Sequence, residues 1–262
     1  KNSSKIKTHH NRVEAIKKLI EQGRVLEPLR DLYKDEVRVL GKELGLPETL
    51  IHRHPFPGPG LAVRILTSPT DQAEAGFDRE NPQLQNILAR FGLEGCILPV
   101  KSVGVMGDSR TYLHPAAVWS KKAFPGWNCL QEATLKVISG LKGINRVVFS
   151  PVPLEEIHIV RCDCNIIRAD LLRNVDAVAR EMTDGIPMIW QMPVVSLPAI
   201  DAHGRGLFVL RPVTSENAMT ADFFRMDPDL LSALIARLSK IDGVGPILYD
   251  ITSKPPGTIE WE

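Results

Sequence analysis

The heptapeptide His54-Pro55-Phe56-Pro57-Gly58-Pro59-Gly60 constrains this chain more than any other stretch. Its three prolines have no amide donor and its two glycines permit sharp turns, so neither a helix nor a central strand runs through it. It divides the 262 residues into a short leading part, 1–53, and a long trailing part, 54–262. In the leading part, Val13, Ile16, Leu19 and Ile20 form one stripe of a helix over Arg12–Gln22, with Gly23 placed to cap its end. Leu32, Val37, Leu40 and Leu44 predict a second helix over Asp31–Leu44, with Asp31 as its cap and Gly45 and Pro47 as its stop.

Beyond the proline-glycine run, apolar or β-branched segments of strand length recur at Leu61–Leu66, Cys96–Val105, Arg146–Phe149, Val194–Leu197, Leu207–Val213 and Pro246–Ile251. Helical spacing marks Pro82–Phe91, Leu130–Leu141, Ile166–Met182 and Pro228–Ile241. Strands and helices do not alternate regularly, as they would in a doubly wound fold. The expectation is an α+β architecture, one sheet with helices packed on one face.

Composition excludes several classes. With 44% hydrophobic and 24% charged residues, the chain is neither disordered nor a fibrous repeat. No apolar stretch approaches the length of a membrane span, and Lys1–Asn11 lacks the apolar core of a signal peptide, so no membrane partner is expected. Cys96, Cys129, Cys162 and Cys164 read as thiols of a reducing compartment, with the cytoplasm as the default. Residues 1–54 carry 12 Lys and Arg against 8 Asp and Glu, whereas the remainder carries 20 against 23. A basic first fifth suits an anionic ligand or a solvated helix face, and the negative remainder argues against nucleic acid as a partner.

Four features stand out as chemistry. The proline-glycine run offers a rigid, side-chain-poor surface or an interdomain elbow, and Arg64 just beyond it is a cation that can face a phosphate. Gly104-Val105-Met106-Gly107-Asp108-Ser109-Arg110-Thr111 gathers two glycines, a carboxylate, a hydroxyl and a guanidinium. Asp108 there suits a sugar hydroxyl and Arg110 a phosphate, although plain hairpin chemistry uses the same residues. Its Gly-x-x-Gly spacing is also similar to the clamp loop of KH nucleic-acid-binding domains. The tail Asp250–Glu262 is proline-stiffened where termini usually fray, with Lys254 suited to an anion and Glu260 to purine N–H donors. Lys7, His9 and His10 combine charge with groups that titrate near neutrality. Adjacent histidines and the Cys162-Asp163-Cys164 triplet both lack metal-ligand spacing, so no metal site is expected.

Taken together, Ile6–Asn11, Glu27-Pro28-Leu29 with Lys34–Arg38, Arg53–Leu61, Val103–Asp108 and Thr252–Glu262 resemble, in this order, the C-terminal part of the glutamine-hydrolysing GMP synthetases. Residues 67–95 and 150–187 are more idiosyncratic. The resemblance implies that 1–53 is the helical end of an α/β ATP pyrophosphatase domain, with Lys7, His9 and His10 in its catalytic lid motif. It implies that 54–262 is a domain that binds xanthosine monophosphate (XMP) and dimerises. Asp108, Gln191 in Trp190-Gln191-Met192-Pro193, Lys254 and Glu260 resemble the family's XMP ligands.

In that family glutamine-derived ammonia converts XMP to GMP through an adenylyl-XMP intermediate, with ATP and Mg2+ as cofactors and with glutaminase and pyrophosphatase domains as covalent partners. The family's Ser-Gly-Gly-Val-Asp-Ser phosphate loop and amidotransferase Cys-Gly-His motif do not occur in this sequence. The expectation is therefore a chain that binds XMP or GMP and forms a homodimer, holds no tightly bound cofactor and is inactive alone. The competing reading is a non-catalytic KH-like nucleic-acid-binding or dimerisation module.

Overall fold

The computed structural model describes residues 14–51, 60–107, 109–214 and 221–262. The chain divides into two compact units, Lys1–His54 and Pro55–Glu262. The expected features at His54–Pro59 lie outside the described residues.

The first unit contains helices α1 (Glu14–Glu21), α2 (Lys34–Glu43) and α3 (Glu48–Ile51). Gly23 and Gly45 take left-handed φ values of 69° and 73° just past α1 and α2, which turns the chain so that Arg24 N–H donates to Leu19 O and Leu46 N–H to Gly41 O. Helix α2 begins later than expected. Tyr33 rather than Asp31 stands at its cap, and the Glu36 carboxylate accepts the Tyr33 N–H at 2.6 Å.

In the second unit, Leu61–Leu66 is not a strand. Gly60–Arg64 forms a 3-10 helix, and only Ile65 bridges to the sheet, at Ser196. The remaining elements are α4 (Asn81–Ala89), β1 (Glu94–Ile97), β2 (Ser102–Met106), β3 (Ser109–Trp119), α5 (Trp127–Gly140), β4 (Ile144–Phe149), β5 (His158–Ile159), α6 (Ile166–Thr183), β6 (Val194–Ile200), β7 (Gly206–Leu210), β8 (Val213–Thr214), β9 (Asp222–Phe223), α7 (Pro228–Leu238) and β10 (Val244–Asp250). The expected strand Cys96–Val105 is thus two strands, β1 and β2, with an interruption between them.

The main sheet runs in the order β1-β3-β4-β10-β7-β6-β5, with β2 also on β3, while β8 and β9 form a separate ribbon. Strands β3 and β4 are parallel neighbours connected through α5, and β7 and β10 are parallel neighbours connected through the ribbon and α7. The long β3 serves two partners in turn, β2 along Ser109–Leu113 and β1 along Ala116–Trp119. Its Pro115 is accommodated at a register shift against β4, where Asn145 is the extra residue.

Side chains alternate between two apolar layers along each central strand. On one face Val147, Phe208 and Tyr249 meet α4–α7, which contribute Leu84, Leu130, Leu172 and Leu234. On the other face Val148, Val209 and Leu248 pack with Leu66, Leu98, Leu154 and Trp261. The helices therefore occupy one face, and connecting segments and the C-terminal tail close the other. At the helical face, Trp127 packs against Phe124, Phe149, Phe223 and Tyr249, and its Nε1–H donates to Met226 O at 2.7 Å. Helix α7 starts at Pro228, with the Asp227 carboxylate accepting the N–H groups of Asp229 and Leu230. Among the described residues, no helix is long and apolar enough to cross a membrane.

Leu130 has no exposure and lies where α5 meets the sheet. Leu130→Ala is expected to cost about 2–5 kcal/mol, seen as a lower urea midpoint with an unchanged slope in equilibrium unfolding.

Candidate functional site

The tail after β10 is bonded along both sides. On one side Lys254 N–H donates to Ala221 O at 2.7 Å, beside the β8–β9 ribbon. On the other, Pro256 O accepts the Val105 N–H at 2.7 Å, Gly257 bridges Gly104, and Trp261 O accepts the Val103 N–H at 2.9 Å. Strand β2 approaches the tail closely because residue 104 has no side chain. A Cβ there would stand 2.8 Å from Pro256 O and from Thr111 Oγ1, and 2.9 Å from Asn145 Nδ2. Asn145, the bulged residue of β4, bonds the hairpin in turn. It accepts from Ser102 Oγ at 3.0 Å and donates to Ser102 O at 2.7 Å.

Beneath the tail, three fully buried charges meet. The Asp250 carboxylate at the end of β10 accepts from Arg146 Nη1 on β4 at 2.8 Å and from Arg211 Nη1, one residue past β7, at 2.9 Å. It also accepts from Trp261 Nε1 and the Thr252 N–H, both at 2.9 Å. Most of the remaining guanidinium bonds go to carbonyls of the tail, and one goes to Val103 O of β2. Arg146 Nη2 faces Val103, Thr258 and Glu260 oxygens at 2.9–3.0 Å. Arg211 Nε reaches Thr258 O at 2.9 Å and Ile259 O at 3.1 Å, and its Nη1 also reaches Thr252 O at 2.9 Å.

The Arg146 guanidinium stacks on Trp261, 4.8 Å from the ring centroid. Burial pulls its pKa down to about 9, and Asp250 opposes the fall. Since every partner is an acceptor, the group is held in its charged form at neutral pH. Arg146 Nε and Arg211 Nη2 have no hydrogen-bond partner among the described residues.

The expected site residues fall around this tail. Lys7, His9, His10 and Asp108 lie outside the described residues. Arg110 is exposed on β3 opposite Val105, on the hairpin that carries Gly104. Gln191 is buried and bridges Val213, whose own partner in the ribbon is Phe223. Ala221, two residues before Phe223, pairs with Lys254, so Gln191 and Lys254 join the same ribbon from different segments. Burial and the nearby Arg211 charge lower the pKa of Lys254. Arg64 stands at the end of a 3-10 helix and holds both carboxylate oxygens of Glu260, with Nη2 at 3.0 Å from Oε1 and Nε at 3.2 Å from Oε2.

Arg146, Arg211 and Asp250 were not singled out from the sequence. A signal was present, because each is a charge inside or at the end of an apolar strand segment, in Arg-Val-Val-Phe, Val-Leu-Arg and Leu-Tyr-Asp. Such charges are rarely buried unless paired. Among the described residues, no group of three or more His, Cys, Asp or Glu side chains is placed to hold a metal ion.

The family model for the GMP synthase C terminal domain matches residues 188–261, which include Gln191, Arg211, Asp250, Lys254 and Glu260. Over its whole length the chain is 43% identical to the probable glutamine-hydrolyzing GMP synthase of Leptospira interrogans serovar copenhageni. The chain is homologous to GMP synthases. The glutamine-hydrolyzing GMP synthases of Dictyostelium discoideum and Synechocystis are 32% and 31% identical, each across 98% of this chain. The chain spans 44%, 43% and 32% of these three GMP synthases, respectively. The resemblance drawn from the five motifs is therefore borne out.

Asp250 offsets two buried cations at once. Asp250→Asn removes the carboxylate in contact with both and is expected to cost about 3–5 kcal/mol, with earlier urea unfolding and faster proteolysis within the last twelve residues as the readouts.

Proposed function

We propose that this chain is the nucleotide-recognising part of a GMP-forming ligase, binding XMP between the tail, the β2–β3 hairpin and the ribbon. The observation that carries the reading is the bonding of the tail on both sides. It joins Lys254, Gln191 and the β2–β3 hairpin, on which Arg110 stands, into one connected frame. In this reading Lys254 and Arg110 meet the phosphate, Asp108 a ribose hydroxyl, and Gln191 and Glu260 the polar edge of the xanthine ring. Each of these residues binds or orients the nucleotide. The chemistry at C2, ATP-driven activation followed by attack of glutamine-derived ammonia, belongs to the complete enzyme, where Mg2+ accompanies ATP. Lys7, His9 and His10 are assigned to that chemistry as charge-stabilising residues of a lid motif. The chain is proposed to act as a cytoplasmic homodimer with glutaminase and pyrophosphatase domains as its partners.

The KH-like alternative has less support. Residues 55–262 are net negative, which suits a single nucleotide in a local positive site better than a nucleic-acid backbone.

Saturating XMP at about 100 times its dissociation constant is expected to add roughly 2.7 kcal/mol, read as a rise of several degrees in Tm. Lys254→Ala removes most of that rise. Stabilisation by single-stranded RNA but not by XMP overturns the reading.

Lys254 also fixes the sign of a pH effect. Its pKa is lowered from 10.5 in the folded chain, so without ligand the unfolded chain holds more protons between the lowered value and 10.5, and stability rises with pH there. A bound phosphate favours the ammonium and opposes this slope. The Tm gain from XMP is therefore expected to shrink as pH rises through that window, and Lys254→Arg moves the loss to higher pH.

A further inference from the structure

We propose that Arg64 is a positioning residue that presets the Glu260 carboxylate as the base-reading acceptor, and so sets the preference for a purine whose ring nitrogen carries a proton. The inference rests on the XMP reading above. Arg64 and Glu260 lie 196 residues apart in sequence, yet the guanidinium fork gives one bond to each carboxylate oxygen, at 3.0 and 3.2 Å. Such a two-point grip fixes both the position and the plane of the carboxylate, which a lysine cannot do.

The main chain of Glu260 is held as well, its carbonyl accepting from Arg146 Nη2 at 2.9 Å. Exposure is asymmetric across the pair. The Arg64 side chain is 3% exposed and that of Glu260 21%. The carboxylate is thus the member of the pair that solvent, and hence a ligand, can reach.

Each carboxylate oxygen has two acceptor sites, and Arg64 takes one on each. The remaining sites suit ring N–H donors. Xanthine presents N–H groups on its ring, whereas the adenine ring presents a bare N1 acceptor that a fixed carboxylate repels. Because the carboxylate is ordered before the ligand arrives, less entropy is lost on binding.

The test measures XMP and AMP binding by calorimetry to the chain and to Arg64→Lys, Arg64→Gln and Glu260→Gln variants. Wild type is expected to prefer XMP. Arg64→Gln is expected to lose at least about tenfold of that preference, the scale of a hydrogen bond to a charged group, with Arg64→Lys in between. Partial unfolding weakens both nucleotides alike and leaves their ratio unmoved, so the ratio separates positioning from stability. Adding Arg64→Gln to Glu260→Gln should lower the ratio no further, since the two act as one unit. If Glu260→Gln lowers the ratio and Arg64→Gln does not, Arg64 has no positioning role. If Glu260→Gln leaves the ratio unchanged, Glu260 does not read the base. Failure of wild type to bind XMP overturns the XMP reading, and this inference with it.

Discussion

The Asp250 carboxylate, fully buried between Arg146 and Arg211, is the interaction on which the tail depends. It sits at the end of β10, between the neighbouring strands β4 and β7 that place its two arginines. Burying three charges is costly, and the cost is offset only when nearly every donor and acceptor is used. One carboxylate neutralises one cation, and the excess positive charge is stabilised by the tail's carbonyl oxygens at Thr252, Thr258, Ile259 and Glu260. The tail is thus the solvation shell of the arginine pair. A proline-stiffened segment suits this role because less conformational entropy is lost when it is laid down.

The same cluster has an electrostatic consequence at the surface. Burial and the Arg211 charge together depress the pKa of Lys254, where the tail meets the ribbon. The rest of the second unit is net negative by sequence. The sheet supplies the rigid frame for this corner, with four helices packing one face and the tail helping to close the other.

Much of the secondary structure was legible because helices α4–α7 and strands β4, β6, β7 and β10 carry strong apolar patterns. The misses have physical causes. Leu61–Leu66 is apolar enough for a strand, but only Ile65 finds a sheet partner, and the segment before it coils into a 3-10 helix. Strand β3 begins with polar residues and contains Pro115, which argues against a strand in isolation, and the bulge at Asn145 is what admits it. At the site, the glycines of the β2–β3 hairpin and the stiff tail were visible as unusual chemistry. The role of Gly104 was not, because it depends on Pro256 lying against it, 152 residues later in sequence.

The sequence by itself determined the α+β class and the homology to GMP synthases, since hydrophobic periodicity and motif order are properties of the chain alone. Tertiary structure decided which charges meet. Arg64 was legible as a cation near an unusual loop, but that it grips Glu260 follows from a pairing across 196 residues. Arg146, Arg211 and Asp250 look like flaws in apolar strands until the sheet sets them side by side, because the energy of a buried charge depends on its partners in space rather than on its neighbours in sequence.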